Sequence, residues 1–346
     1  MISRFTWLLA LLVICLCGWS PLRAATVPDL YAATVPVADQ GSQALADSAA
    51  AALAQVLVKV SGSAEVLSNP VINAAMAQAR SQVQQYAYSR GEQGELAARF
   101  EFAPSYITEL VIEAGAPLWT ANRPAVLTWV VMEDSRGRSF VSPDSTPEAA
   151  TQLAWAFSQR GLPLQLPLFD LADTAALGTD KAWRLDSGAL REASARYGLE
   201  NILAARVAVL SDGKYTGDFS FLSPDVRLER RVTADGFAEF AAGGVSLVAD
   251  HMASRFAVRA APDGGAIAMV VSGISTYSDY AGVVGWLNKL ELVERANVER
   301  VEGDVLSLIV HARTGSGQLA ALIELNGRLR PVHPPAVDGR LHYQWQ

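Results

Sequence analysis

After residue 25, short apolar runs alternate with segments of helical period along nearly the whole chain, and clusters of glycine and proline punctuate them. This alternation admits few architectures. Strands that alternate with helices build a sheet with helices on its faces, and strands that follow one another pair as hairpins. The chain therefore reads as α/β and α+β, with several small αβ domains in series.

The first unit, 26–120, opens with an apolar strand over 30–37 and an alanine-rich helix over 42–60. In that helix Leu45, Ala49, Leu53, Val56, Leu57 and Val60 recur at intervals of three and four, which places them on one face. Ser61, Gly62 and Ser63 end it, and Pro70 suits the first turn of a second helix. Strands over 84–89 and 96–102 and a helix over 105–113 follow, and 116–117 with 122–124 read as a linker.

The middle unit, 121–260, runs strand (125–132), polar loop (133–147), helix (148–159), strand (164–170) and helix (187–197). Three strands over 202–210, 215–222 and 226–232 come next, with Asp212-Gly213 as a hairpin turn between the first two. A helix over 237–256 covers the sheet. Residues 261–265 form the clearest linker. The last unit, 266–346, reads β-α-β-β-α-β and ends in a strand near 329–332 or 341–345, the arrangement of ferredoxin-like domains.

The first 25 residues differ in character. Arg4 lies in a short polar start, 5–19 is apolar, and Ser20 to Ala25 closes the run with a proline, a charge and small residues. This is the pattern of a secretory signal peptide cleaved near Ala24 or Ala25, which predicts a periplasmic protein. Cys15 and Cys17 both fall inside it, so the mature chain is expected to hold no thiol for a disulfide or a metal. Ile14 and Leu16 precede those cysteines where a lipoprotein would need a small residue.

Loss of Arg4 and Arg23 takes the basic count from 28 to 26 against 35 acidic residues, and the formal charge from −7 to −9. Such a balance argues against nucleic acid as a partner. No apolar run after Trp19 is long enough to predict a transmembrane segment beyond the signal.

Several features together resemble an exported proteobacterial family of unknown function. They are the strand from Tyr31 to Val37, the helix running into Val56-Leu57-Val58-Lys59-Val60-Ser61-Gly62, and the later Val271-Ser272-Gly273-Ile274 with Tyr280-Ala281. The family offers no catalytic residues to carry over. In element order, and in the helix-to-strand passage over 195–209, the middle unit resembles the N-terminal domain of the translocation protein TolB. That likeness implies a domain that grips partner proteins in the periplasm.

No motif assigns a catalytic, cofactor or metal site. Ser211 and Lys214 have Ser-x-x-Lys spacing, but Asp212-Gly213 between two strands makes them a hairpin rather than a helix start. Glu133 and Asp134 follow a strand and read as a solvated loop. His251, His311, His333 and His342 are too scattered for metal ligands. The stretch from Arg313 to Gln318 enters a helix without the lysine of a phosphate loop, and Gly243-Gly244 has still less chemistry. The residues left as partner-binding candidates are aromatic: Trp119 as an exposed anchor near the first linker, and Tyr277, Tyr280 and Trp286 on one helix, where core packing competes with recognition.

The expectation is thus a periplasmic, non-enzymatic protein without a cofactor that binds other envelope proteins as adaptor, assembly factor or accessory subunit. Two rivals stand beside it. One is an envelope hydrolase acting on peptidoglycan or an acyl ester through Ser211 or through Glu133 with Asp134. The other is a small-ligand binding protein with its ligand between the middle and last domains.

Overall fold

The computed structural model describes residues 24–91, 95–261, 265–332 and 339–346. Residues 1–23 of the expected signal peptide, the centre of the 261–265 linker and His333 lie outside the described residues, whereas Ala24 and Ala25, its expected last residues, are described.

In the first unit, β2 (Ala32–Pro36), β3 (Val83–Arg90) and β4 (Leu96–Phe102) come from the strand-like runs and form an antiparallel sheet in the order β2-β4-β3, while β1 (Ala24–Thr26) is a strand where the sequence reading placed the cleavage site. The helix Ser42–Ser61 lays Leu45, Ala49, Leu53, Val56, Leu57 and Val60 into the core beneath it. It is long and apolar enough, by length and composition, to cross a membrane, and more than half of it is buried within the protein. Gly62 ends it in the left-handed region (φ 79°), with its amide bonded to the Val58 carbonyl. A Cβ on Gly62 would sit 2.3 Å from Cβ of Ala253, so the glycine also lets the middle unit approach.

The expected linker is not one. Residues Pro117–Leu118 (β5) and Asn122–Pro124 (β6) are strands, and β6 pairs with β1. The Trp119 amide donates to the Val60 carbonyl at 2.7 Å, which draws the segment into the interior.

The middle unit holds β7 (Val126–Asp134), β8 (Gly137–Phe140), β9 (Leu164–Gln165), β10 (Asn201–Val209), β11 (Tyr215–Leu222) and β12 (Arg227–Ala234). The sheet order is β12-β11-β10-β7-β8, with β7 and β10 parallel and β9 paired to the start of β7. The polar loop after β7 thus contains a hairpin strand, β8. The strand expected over 164–170 shrinks to β9, because Pro167 lacks an amide for the ladder and Phe169 turns the chain at φ 53°. Helices Pro147–Gln159 and Phe237–Phe256 cover one face of the sheet. Three short helices, Leu171–Ala176, Thr179–Trp183 and Ser187–Ser194, cover part of the other. Gly244 explains its own presence: a Cβ there would lie 2.1 Å from the Phe219 ring, so glycine seats the long helix on β11.

After β13 (Val258–Arg259), which pairs with β5, the last unit runs β14 (Gly265–Ser272), helix Tyr277–Leu287, β15 (Val293–Glu302), β16 (Val305–Ala312), helix Ser316–Asn326, β17 (Leu329–Pro331) and β18 (Leu341–Trp345). The sheet order is β15-β16-β14-β18-β17. A ferredoxin-like sheet would place the fourth strand beside the first. Here β18 takes that place parallel to β14, buries Tyr343, and leaves β17 outside it, so the arrangement departs from the expected one.

Side chains also link the units that carry the three larger sheets. Leu292 and Leu322 of the last unit join the first core, Arg313 bridges Glu109 and Glu294, and Glu291 accepts the Ala121 amide.

Candidate functional site, a cleft beside the open edge of β2

A cleft of about 480 Å³ lies between the first and middle units. Asp29, β2, Lys59 and Arg99 form one wall; the end of the helix Pro147–Gln159 and residues 161–164 form the other. It is not the junction of middle and last units where a ligand was expected.

The Tyr31 carbonyl accepts from the Phe102 amide (3.0 Å), and the Val37 amide donates to the Leu96 carbonyl (2.9 Å). By the alternation of an antiparallel ladder, Ala33 and Val35 also face β4, and the backbone groups of Ala32 and Thr34 turn into the cleft. Ala32 is internally satisfied, since its amide donates to the Asp29 carbonyl and its carbonyl accepts from Lys59 Nζ at 2.5 Å. The backbone of Thr34 has no partner on the cleft side among the described residues, so it is left to pair with whatever enters. Pro36 ends the accessible edge because it has no amide.

Lys59 is buried on the apolar face of its helix. Its ammonium has three donors, and two go to the Ala32 and Asp29 carbonyls. Burial lowers its pKa from 10.5 to about 8 against the opposing pull of Asp29, and Arg123 and Arg99 lower it further. Arg99 bonds both Asp29 (2.8 Å) and Glu101 (2.9 Å). Across the cleft Trp155 remains 46% exposed, an amphipathic surface of the kind that anchors partners.

Behind the cleft Arg123 holds the walls together. Its guanidinium, wholly buried, donates to the carbonyls of Thr120, Trp119, Lys59, Arg160 and Gly161, and lies 3.8 Å from the Trp119 ring centroid. No carboxylate among the described residues bonds it. The carbonyls at the ends of the helices Ser42–Ser61 and Pro147–Gln159, where helix dipoles are negative, supply the compensating field. Burial brings its pKa down from 12.5 to about 9, still above neutrality.

The sequence candidates do not converge. Trp119 is 1% exposed, which removes it as an exposed anchor: it is the platform under Arg123. Tyr277 is 82% exposed and stacks on Tyr280 with centroids 5.9 Å apart, while Trp286 packs against the last core. Ser211 and Lys214 flank the hairpin turn, where Lys214 pairs with Asp235. Glu133 and Asp134 pair with Arg138 and Arg136. His251 lies against Phe221, His311 is on β16 and His342 on β18. No cluster of potential metal ligands occurs among the described residues. Arg313 is engaged in ion pairs with Glu109 of the first unit and Glu294 of its own, so the 313–318 turn does not cradle an anion with it.

Lys59, Arg99, Thr34 and Trp155 were missed. One signal was available: Lys59 interrupts an otherwise apolar helix face beside Val56, Leu57 and Val60.

A family model matches residues 24–120: a domain of unknown function (DUF8605). The matched span contains Asp29, Thr34, Lys59 and Arg99, and ends at Thr120, before Arg123 and the opposite wall. A search of curated proteins finds no match to this chain.

Proposed function

We propose that this is a periplasmic, non-enzymatic protein that binds an extended segment of another envelope protein in the cleft beside β2, as adaptor, assembly factor or accessory subunit. The open edge at Thr34 carries the reading. An incoming strand gains main-chain hydrogen bonds there, as in other cases of strand addition, and Trp155 offers it an aromatic anchor. The remaining Lys59 donor suits a backbone carbonyl or a terminal carboxylate. The secretory character of the first 25 residues supports a periplasmic location, and the TolB-like element order of the middle unit supports partner binding.

The test is site-specific photocrosslinking in living cells, with the photoreactive residue at Thr34 or at Trp155 and Leu210 as a remote control. One or two envelope proteins joined through the cleft positions, and absent from the control, are the expected result. Thr34→Pro removes only the amide that faces the cleft and leaves the bonds to β4, so it should abolish the adduct at Trp155 while preserving the circular dichroism spectrum. An adduct pattern that ignores Thr34→Pro, or no adduct from either cleft position, overturns the reading.

A further inference from the structure

On the opposite face of the middle sheet, the three short helices stop before they reach β12, and the uncovered part forms a shallow groove of about 500 Å³. Arg184 and Leu185, just beyond the helix Thr179–Trp183, form one side. Arg206 on β10, Asp218 on β11 and Arg231 on β12 are register partners and make a row across three strands. Arg227 and Glu229 extend it along β12. Arg230 hydrogen-bonds Gly243 on the helix-covered face and does not add to the row.

Four guanidinium groups therefore meet two carboxylates on a chain whose formal charge is −7. Asp218 accepts from Arg206 and Arg231, and those bonds hold its carboxyl below the usual range, Arg231 contributing most. Glu229 accepts from Arg227. These pairs orient the arginines without using them up, since Arg227 and Arg231 each retain a free Nη1, and Arg184 has no ion pair or side-chain hydrogen bond among the described residues. An excess of oriented donors beside low-dielectric protein attracts anions.

We infer that this arginine groove is a second docking surface, and that it takes an acidic segment of a partner protein through carboxylates spaced along that segment. The spacing argues for such a partner over a phosphate: the free donors are separate half-forks, and Asp218 and Glu229 between them repel a compact dianion while leaving room for spaced single charges. The inference extends the protein-binding reading to a surface that shares no residue with the cleft. A chain with two sites that share no residue can join two partners.

The experiment measures fluorescence anisotropy of a labelled peptide of alternating glutamate and glycine, titrated with the purified chain. Binding is expected at low ionic strength, and raising the salt from about 20 mM to about 300 mM should weaken it, because the pairs are exposed to screening. Arg184→Glu, at a side chain with no partner to lose, should weaken binding roughly tenfold, and adding Arg231→Gln should weaken it further. Arg300→Glu, an equal charge change on β15, should leave it intact. An equal loss with Arg300→Glu overturns the proposal, as does failure of the peptide to bind. So does arginine-dependent binding to phosphatidylglycerol vesicles or to inorganic phosphate in place of the peptide. If cleft crosslinks persist while the peptide fails, the groove falls and the protein-binding reading stands; if the peptide binds but the cleft yields no adduct, the reverse holds.

Discussion

Arg123 is the residue on which three chain segments converge, and its chemistry cannot be supplied by a near substitute. Lysine offers a point charge with three donors, whereas five carbonyls from the linker region and two helix ends are arranged around a planar fork. Arg123→Ala leaves those carbonyls unpaired in the interior and should cost on the order of 3–5 kcal/mol in urea denaturation; Arg136→Ala, in an exposed pair, should stay within about 0.5 kcal/mol. Lys59 makes a prediction in pH. Its pKa is about 8 in the folded chain against the ordinary lysine value of 10.5, so below pH 8 both states are protonated and the folded state bears the full cost of a buried charge. Above pH 8 the folded state gives up its proton first, and the protein is stabilised as pH rises toward 10.5. Arg123 shifts in the same sense above about 9, and Tyr31, raised to about 12 by burial and Glu291, opposes it only beyond pH 10. The comparison that isolates Lys59 is therefore the wild-type chain against Lys59→Met, in urea, at about pH 7.5 and about pH 9.5. The wild type should gain on the variant at the higher pH, and an unchanged difference would mean that the ammonium is not buried as described.

At the scale of elements, the sheet edges differ in how they are protected. The edge strand β15 alternates Glu294, Arg295, Glu299 and Arg300 and is bulged twice; β12 carries Arg227, Glu229 and Arg231; β17 has three residues and ends in proline. Charges, bulges and proline are the usual means of discouraging edge-to-edge pairing. The edge of β2 is instead recessed in a cleft, where the walls limit what can pair with it. The close fit between helices is equally specific. Gly62→Ala must push its new methyl against Ala253 from a backbone conformation that favours glycine, so a loss of about 1–3 kcal/mol in thermal or urea unfolding is expected. Because Gly62 closes the helix Ser42–Ser61 against the helix Phe237–Phe256, the variant should also loosen the cleft, read as weaker crosslinking at Trp155.

Across the whole molecule the three larger sheets share one framework. The last strand shows how completely: β18 lies between β14 and β17, and chain termination after Val332 would expose both. Such a truncation should lower hydrogen-exchange protection along Met269–Ser272, the β14 residues that pair with β18, while the middle sheet keeps its own. Periodicity made most elements legible: the long helices over 42–60 and 237–256, the strand runs of the middle sheet and the Asp212-Gly213 hairpin were all readable because each follows from spacing along one segment. Local signals also settled that Ser211 is a turn residue. The cleft was not readable, since its walls join Thr34, Lys59 and Arg99 to Trp155 and Leu164, residues whose proximity no local period encodes. Trp119 was misplaced for the same reason: a short stretch with two prolines looks like a linker until a buried guanidinium and the Val60 carbonyl draw it inside. By itself the sequence determined which segments become strands and helices and which face of each is apolar, because those depend on neighbours two to four residues away. Only the tertiary structure decided which edge stays open, which charges are buried and where four arginines meet, because those depend on long-range packing between units.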